Sequence, residues 1–270
     1  MVHNILNVDI DYKKLNLENG DHQATMTLYV PDNFSEIDLE RKRPTVIICP
    51  GGAYSYTSAR EAEPGALNFI TADFNAIVLN YSCAPAVFPC ALFELASTIK
   101  TVKENAQKWH VDTDKIFVMG FSAGGHLAAS YGTYLDSELV KSAFADCDLS
   151  IAGMILSYPV ITSGEKAHRG SFDNLLGEKA TDEKALKLVS LEQQVSPSTP
   201  PAFIWHTFED GTVPVENSLL FADALAKNKV PFEMHIFPDG RHGLGLADTY
   251  PHVAQWTGLF INWLKDNALL

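Results

Sequence analysis

Short apolar runs of strand length alternate along the chain with longer stretches in which apolar side chains recur every three or four residues. Seven runs have strand character: 25–30, 45–49, 76–81, 115–120, 151–158, 202–207 and 232–237. Most are continuously apolar rather than alternating, as expected of strands buried on both faces of a parallel sheet. Between the third and fourth runs, Leu92, Leu95, Ile99, Val102, Ala106 and Trp109 share one helical face, while Lys100, Lys103, Glu104 and Lys108 fill the other. That stretch predicts a crossover helix. Further helices are expected over 63–74, 123–134, 215–228 and 256–268. The alternation predicts an α/β fold with a mostly parallel central sheet and helices on both faces. The chain reads as one domain over 1–270, with no internal repeat or low-complexity linker.

One stretch breaks the pattern. Residues 161–200 are polar and partly helical, and they end in a proline-rich run just before the strand at 202. Two readings stand, a solvated excursion between strands or a cap-like insertion over a site.

Charge narrows the partners. With 33 acidic against 20 basic side chains and a formal charge of -13, the chain repels phosphate at long range, which argues against nucleic acid or an anionic membrane as the main partner. A neutral or cationic substrate fits better, and a homo-oligomer stays open. The cysteines Cys49, Cys83, Cys90 and Cys147 form no C-x-x-C pair and have no histidine at metal-finger spacing, so they read as reduced thiols with no metal site. The first residues lack the basic and apolar pattern of a leader, and no apolar run reaches the roughly 18 residues of a membrane span. A cytoplasmic protein is expected.

The strongest chemical signal is Gly120-Phe121-Ser122-Ala123-Gly124, which fits the G-x-S-x-G nucleophile elbow. An apolar strand runs into it and a small-residue helix runs out, as a sharp strand-to-helix turn requires. A serine hydroxyl is a poor nucleophile until a base takes its proton, so the reading demands a histidine oriented by a carboxylate, in the chain order Ser, Asp or Glu, His. The loop after 202–207 carries Glu209 and Asp210; the loop after 232–237 carries His242. Asp210 is preferred over Glu209 because a Gly-x-Val-Pro turn follows it. Among the other histidines, His126 is expected to pack or cap, His235 lies mid-strand, His206 ends a strand, and His3, His22, His110, His168 and His252 read as surface residues. An oxyanion hole needs backbone N–H groups near the nucleophile. Ala123 is one candidate, and Gly52 and Ala53 in the loop Pro50-Gly51-Gly52-Ala53-Tyr54 are the others.

With these residues in place, the chain resembles the α/β-hydrolase superfamily, and within it the acetyl esterase/lipase group that includes acetylxylan-esterase-like proteins. The resemblance runs over nearly the whole chain, through Pro50-Gly-Gly-Ala-Tyr54, Arg60-Glu-Ala-Glu-Pro64, the elbow, Trp205-His-Thr-Phe-Glu-Asp210 and Gly240-Arg-His-Gly243. It implies Ser122 as nucleophile, Asp210 as orienting acid, His242 as base, an oxyanion hole from residues 51–53 and Ala123, and no metal or organic cofactor. Two departures from the His-Gly-Gly-Gly lipases matter, the loop Pro50-Gly51-Gly52-Ala53 and the elbow position Phe121. Ala53 replaces the last glycine, where its methyl group narrows the pocket and disfavours a positive φ, and Phe121 replaces an Asp common in that group, which places the chain nearer the sugar-esterase branch. Tyr54 and Tyr56 are candidates for contact with substrate, and Arg60, Glu61 and Glu63 read either as substrate contacts or as a cap and surface ion pair. The expected activity is a serine carboxylesterase on short-chain acyl esters, above all acetyl esters of sugars or xylo-oligosaccharides. The alternatives are a peptidase or amidase with the same three residues, or a non-catalytic binding protein on the same fold.

Overall fold

The computed structural model describes residues 1–267. The chain runs β1 (Val2–Asn7), β2 (Thr25–Val30), β3 (Arg43–Cys49), α1 (Glu63–Thr71), β4 (Asn75–Asn80), α2 (Cys90–Glu104), β5 (Val111–Phe121), α3 (Ala123–Tyr134), α4 (Glu138–Lys141), β6 (Gly153–Ser157), α5 (Arg169–Leu176), α6 (Glu183–Leu188), β7 (Ala202–Thr207), α7 (Glu216–Lys227), β8 (Phe232–Phe237) and α8 (Trp256–Asp266). The eight strands form one sheet in the order β1-β2-β4-β3-β5-β6-β7-β8. β2 is antiparallel to both β1 and β4, and every other pairing is parallel.

The continuous apolar runs serve two cores. In β3, β5 and β7 successive side chains point to opposite faces, as pleating dictates. Ile47, Ile116, Val118, Ala202 and Ile204 join a core with α2, α3 and α7. Val46, Ile48, Phe117, Met119, Phe203 and Trp205 join a second core with α1 and α8. The second is aromatic: the Phe260 ring meets Phe69 and Phe203 edge-on at 5.6 Å, and Trp205 stacks on Trp256 at 5.2 Å.

Several boundaries differ from the expected ones. α2 stops at Glu104; Trp109 donates its backbone N–H to Asn105 O in a turn, so Ala106 and Trp109 keep the helical spacing without the helix. β5 begins at Val111 and β6 is limited to Gly153–Ser157. β1 had no signal, because an edge strand with mostly exposed side chains needs no apolar period. The end of α8 was expected at Ala268, which lies outside the described residues.

The insertion at 161–200 folds into α5, α6 and short turns. Phe172, Leu175, Leu176, Val189 and Leu191 are buried in the core shared with α2 and α3, and Phe88 N–H donates to Leu175 O at 2.8 Å. The segment is therefore seated on the sheet domain by its own apolar face.

The parallel strands converge on a single sheet edge. The loops after β3, β5, β7 and β8 all leave from strand carboxyl ends, where open α/β sheets hold their ligands.

Candidate active site

Ser122 sits between β5 and α3 with φ 53 and ψ -117, a conformation costly for a residue with a Cβ, on the order of 1–3 kcal/mol. The flanking glycines explain how the turn closes. A Cβ on Gly120 would lie 1.9 Å from Gly124 O, and one on Gly124 would lie 2.0 Å from Cys49 O. No side chain fits at either place, so the spacing of the motif is a packing requirement of this bend. Ser122 N–H donates to Ser157 O on β6 at 3.0 Å, and Ser122 O accepts from Val160 N at 3.0 Å, which fixes the strained residue to its neighbours.

The structure brings Ser122, His242 and Asp210 together. His242 Nε2 is 2.8 Å from Ser122 Oγ, and His242 Nδ1 is 2.6 Å from Asp210 Oδ2. Because a carboxylate only accepts, Nδ1 carries the proton and Nε2 is left to accept from the serine hydroxyl. Asp210 Oδ1 accepts from the backbone N–H groups of Thr212 and Val213, both at 2.9 Å, and His206 Nε2 lies 3.3 Å from Oδ2. Burial would raise the Asp210 pKa, but the hydrogen bonds from His206, His242 and Val213 outweigh it and hold the carboxyl well below the usual carboxylate range. Glu209, the rival acid, is exposed.

Ser122 and His242 open onto a cavity of about 210 Å³ lined also by Gly52, Ala53, Tyr56, Glu61 and His168, among others, while Asp210 lies buried behind them. Gly52 and Ala53 thus lie beside the serine, while Ala123 is fully buried at the first turn of α3, where the helix dipole favours negative charge. Ala53 takes up the disfavoured positive φ after all, at 55. Asn174 Nδ2, from α5, donates to Ala53 O at 2.8 Å and helps hold it there.

Some assignments need correcting. Tyr54 does not face the cavity: it is 3% exposed, and its hydroxyl bonds His126 Nδ1 at 2.8 Å in the core. Tyr56 is 61% exposed and lines the cavity rim. His168 is not a free surface residue; it reaches the cavity from the insertion, and burial together with the nearby His242 lowers its pKa. Glu61 is neither a cap nor a surface partner, being 2% exposed and accepting from Gly51 N and Tyr158 OH. Nothing in the Arg60-Glu61-Ala62-Glu63 sequence distinguishes a buried acid from an exposed one. His126 packs as expected; it is fully buried, with Nε2 2.8 Å from Val189 O.

A mostly parallel sheet with one antiparallel strand, β2, near one end, a serine at a strained elbow after β5, an acid after β7 and a histidine after β8 define an α/β-hydrolase. Comparisons with known proteins agree in class. Residues 26–225 match the BD-FAE family, and the chain belongs to it. The chain is 38% identical over 236 residues to endo-1,4-beta-xylanase B of Butyrivibrio fibrisolvens, covering 85% of this chain and 37% of that protein. It is 29% identical over 257 residues to an acetylxylan esterase of Xylanibacter ruminicola, covering 93% of this chain and 50% of that one. The chain therefore spans half or less of the length of these two relatives. Among solved structures, an acetyl ester-xyloside bifunctional hydrolase from Caldicellulosiruptor lactoaceticus superposes with a TM-score of 0.87 at 36% identity, covering 99% of this chain and 97% of that one. Among the described residues no helix is long and apolar enough to cross a membrane.

Proposed function

We propose that the chain is a serine carboxylesterase that removes short acyl groups, acetyl above all, from sugars or xylo-oligosaccharides. The observation that carries this reading is the continuous hydrogen-bonded series Ser122 Oγ, His242, Asp210, opening on a small cavity. His242 Nε2 takes the serine proton as Oγ attacks the ester carbonyl, and the imidazolium then returns it to the departing alkoxide. A water repeats the sequence on the acyl-enzyme with the same base. Asp210, held ionised by its hydrogen bonds, keeps the proton on Nδ1 and stabilises the imidazolium. The tetrahedral oxyanion is received by the N–H groups of Ala123, Gly52 and Ala53.

Size and charge support the substrate class. A cavity of about 210 Å³ is below the roughly 300–1,000 Å³ of drug-sized ligand sites, so it holds a short acyl group and leaves the alcohol outside, next to Tyr56. A neutral acetylated sugar needs no basic surface. The esterase names of the relatives point the same way.

A fluorophosphonate should label the wild-type protein and fail on Ser122→Ala, with ester turnover lost in the variant. A p-nitrophenyl ester series should then peak at acetate, and acetylated xylo-oligosaccharides should be deacetylated. Full activity in Ser122→Ala would overturn the nucleophile, and a preference for long acyl chains would overturn the substrate class.

A further inference from the structure

Glu61 is a buried carboxylate at the site with no part in proton transfer. It ends a short 3-10 turn, Ala59–Glu61, and is 2% exposed. One oxygen, Oε2, accepts from Gly51 N–H at 2.8 Å. The other, Oε1, accepts from Tyr158 OH at 2.7 Å, and the Tyr158 oxygen accepts in turn from Gly245 N–H at 2.8 Å. Burial pushes the Tyr158 phenol well above its ordinary 10, so its proton stays on the oxygen and is given to Glu61.

Each end of this series touches the candidate machinery. Gly51 directly precedes Gly52 and Ala53, and a Cβ on it would lie 2.7 Å from Glu61 Oε2 and 3.0 Å from Ser122 Cβ. Gly245 is three residues beyond His242. The Tyr158 ring lies edge-on to the His242 ring at 5.1 Å. A Cβ on Gly243 or on Gly245 would come within 3.9 Å of Glu61 side-chain atoms. A buried carboxylate is expensive unless its oxygens are bonded, so the fold keeps this one where a neutral side chain would serve a merely packed site.

Resting on the esterase reading above, we propose that Glu61 is a positioning residue that couples two loops, aiming the N–H groups of residues 52–53 through Gly51 and setting the His242 loop through Tyr158 and Gly245. A carboxylate can accept at both oxygens; an amide cannot. Glu61→Gln keeps the shape but sets an NH2 either against Gly51 N–H, donor facing donor, or against Tyr158 OH, whose proton then loses its acceptor, so the series is broken at one place.

The test compares wild type, Glu61→Gln and Tyr158→Phe on an acetyl ester, with rates normalised to the fraction of protein that a fluorophosphonate titrates at Ser122. A trifluoromethyl ketone, which forms a tetrahedral adduct on the serine, reports oxyanion binding. Glu61→Gln should lose about 10- to 100-fold in kcat and a comparable factor in ketone affinity, with KM changed less than about threefold, because loss of one oxyanion donor typically costs about 100- to 1000-fold. A purely structural role would lower the titrated fraction while leaving kcat and ketone affinity per site unchanged, and that result overturns the proposal. Tyr158→Phe leaves Gly51 its bond and severs the arm to Gly245. Its kcat per titrated site should fall at least about threefold; an unchanged value overturns the coupling, and this variant decides the matter if Glu61→Gln does not fold. Absence of titration in the wild type would instead sink the esterase reading itself, so the two failures are distinct.

Discussion

Asn174 of the insertion donates from Nδ2 to the carbonyl oxygen of Ala53 at 2.8 Å. A residue 121 positions away thereby holds a non-glycine of the loop 50–54 that sits at positive φ beside the cavity. The insertion is thus part of the support for the site, through this bond and through His168 at the rim. Asn174→Ala frees the Ala53 carbonyl and lets the peptide relax. Steady-state kinetics on an acetyl ester should show kcat reduced about 3- to 10-fold with little change in KM, since small misplacements of positioned groups are costly. Wild-type kcat in this variant would mean that the loop holds its shape without the insertion.

The acid can be tested against its neighbour. Asp210 is buried and receives four polar partners, whereas Glu209 beside it faces solvent. Asp210→Asn would favour the wrong imidazole tautomer, and kcat should drop by on the order of 10⁴. Glu209→Gln should be indistinguishable from wild type. The reverse result would move the role to Glu209.

How much of this was legible beforehand follows from what sequence encodes directly. The elbow was readable because its Gly-x-Ser-x-Gly spacing is written in five consecutive residues, although the contact that forbids a side chain at Gly124, with Cys49 O, is a distant one; Asp210 and His242 were readable because they follow runs of strand character in the required order. Tyr54 was misplaced because nothing local distinguishes an aromatic that turns into the core to meet His126 from one that faces the cavity; the difference depends on α3, 72 positions away. Glu61 is the same case in reverse, its burial being set by Tyr158 at a separation of 97. Boundaries slipped where a helical spacing persisted beyond Glu104 in a turn, and β1 went unseen because its side chains mostly face water.

The glycines of the elbow carry a stability prediction. Gly124→Ala would set a methyl group 2.0 Å from Cys49 O, and Gly120→Ala would set one 1.9 Å from Gly124 O. Both neighbours are backbone, one in the first turn of α3 and one at the end of β3, and cannot yield cheaply. Each substitution should cost more than about 4 kcal/mol, in the exceptional range for single changes, and deplete soluble folded protein. Gly211→Ala, where nothing lies within 4 Å of the added carbon, is the control and should unfold thermally with the wild type.

Acid should destabilise the protein through His126. Burial lowers its pKa to about 4, and the neutral ring is satisfied on both sides, Nε2 donating to Val189 O and Nδ1 accepting from Tyr54 OH. Unfolding exposes an imidazole with an ordinary pKa near 6.5. Between those two values the unfolded chain binds more protons than the native one, so stability falls as pH falls from about 6.5 toward 4 and this contribution levels off below. The full difference corresponds to about 3 kcal/mol. Asp210 acts in a lower window, because its depressed pKa adds stability above the unfolded value of about 3.9 that is lost only on further acidification. Glu94, whose carboxyl is pushed upward by burial, acts in the opposite sense and is unchanged by substitution at 126. His126→Gln retains a donor for Val189 O and removes the titration. Its melting temperature should start lower at pH 7 but decline less between pH 6.5 and 4.5 than that of the wild type. Parallel curves over that window would show that His126 does not govern the acid limb.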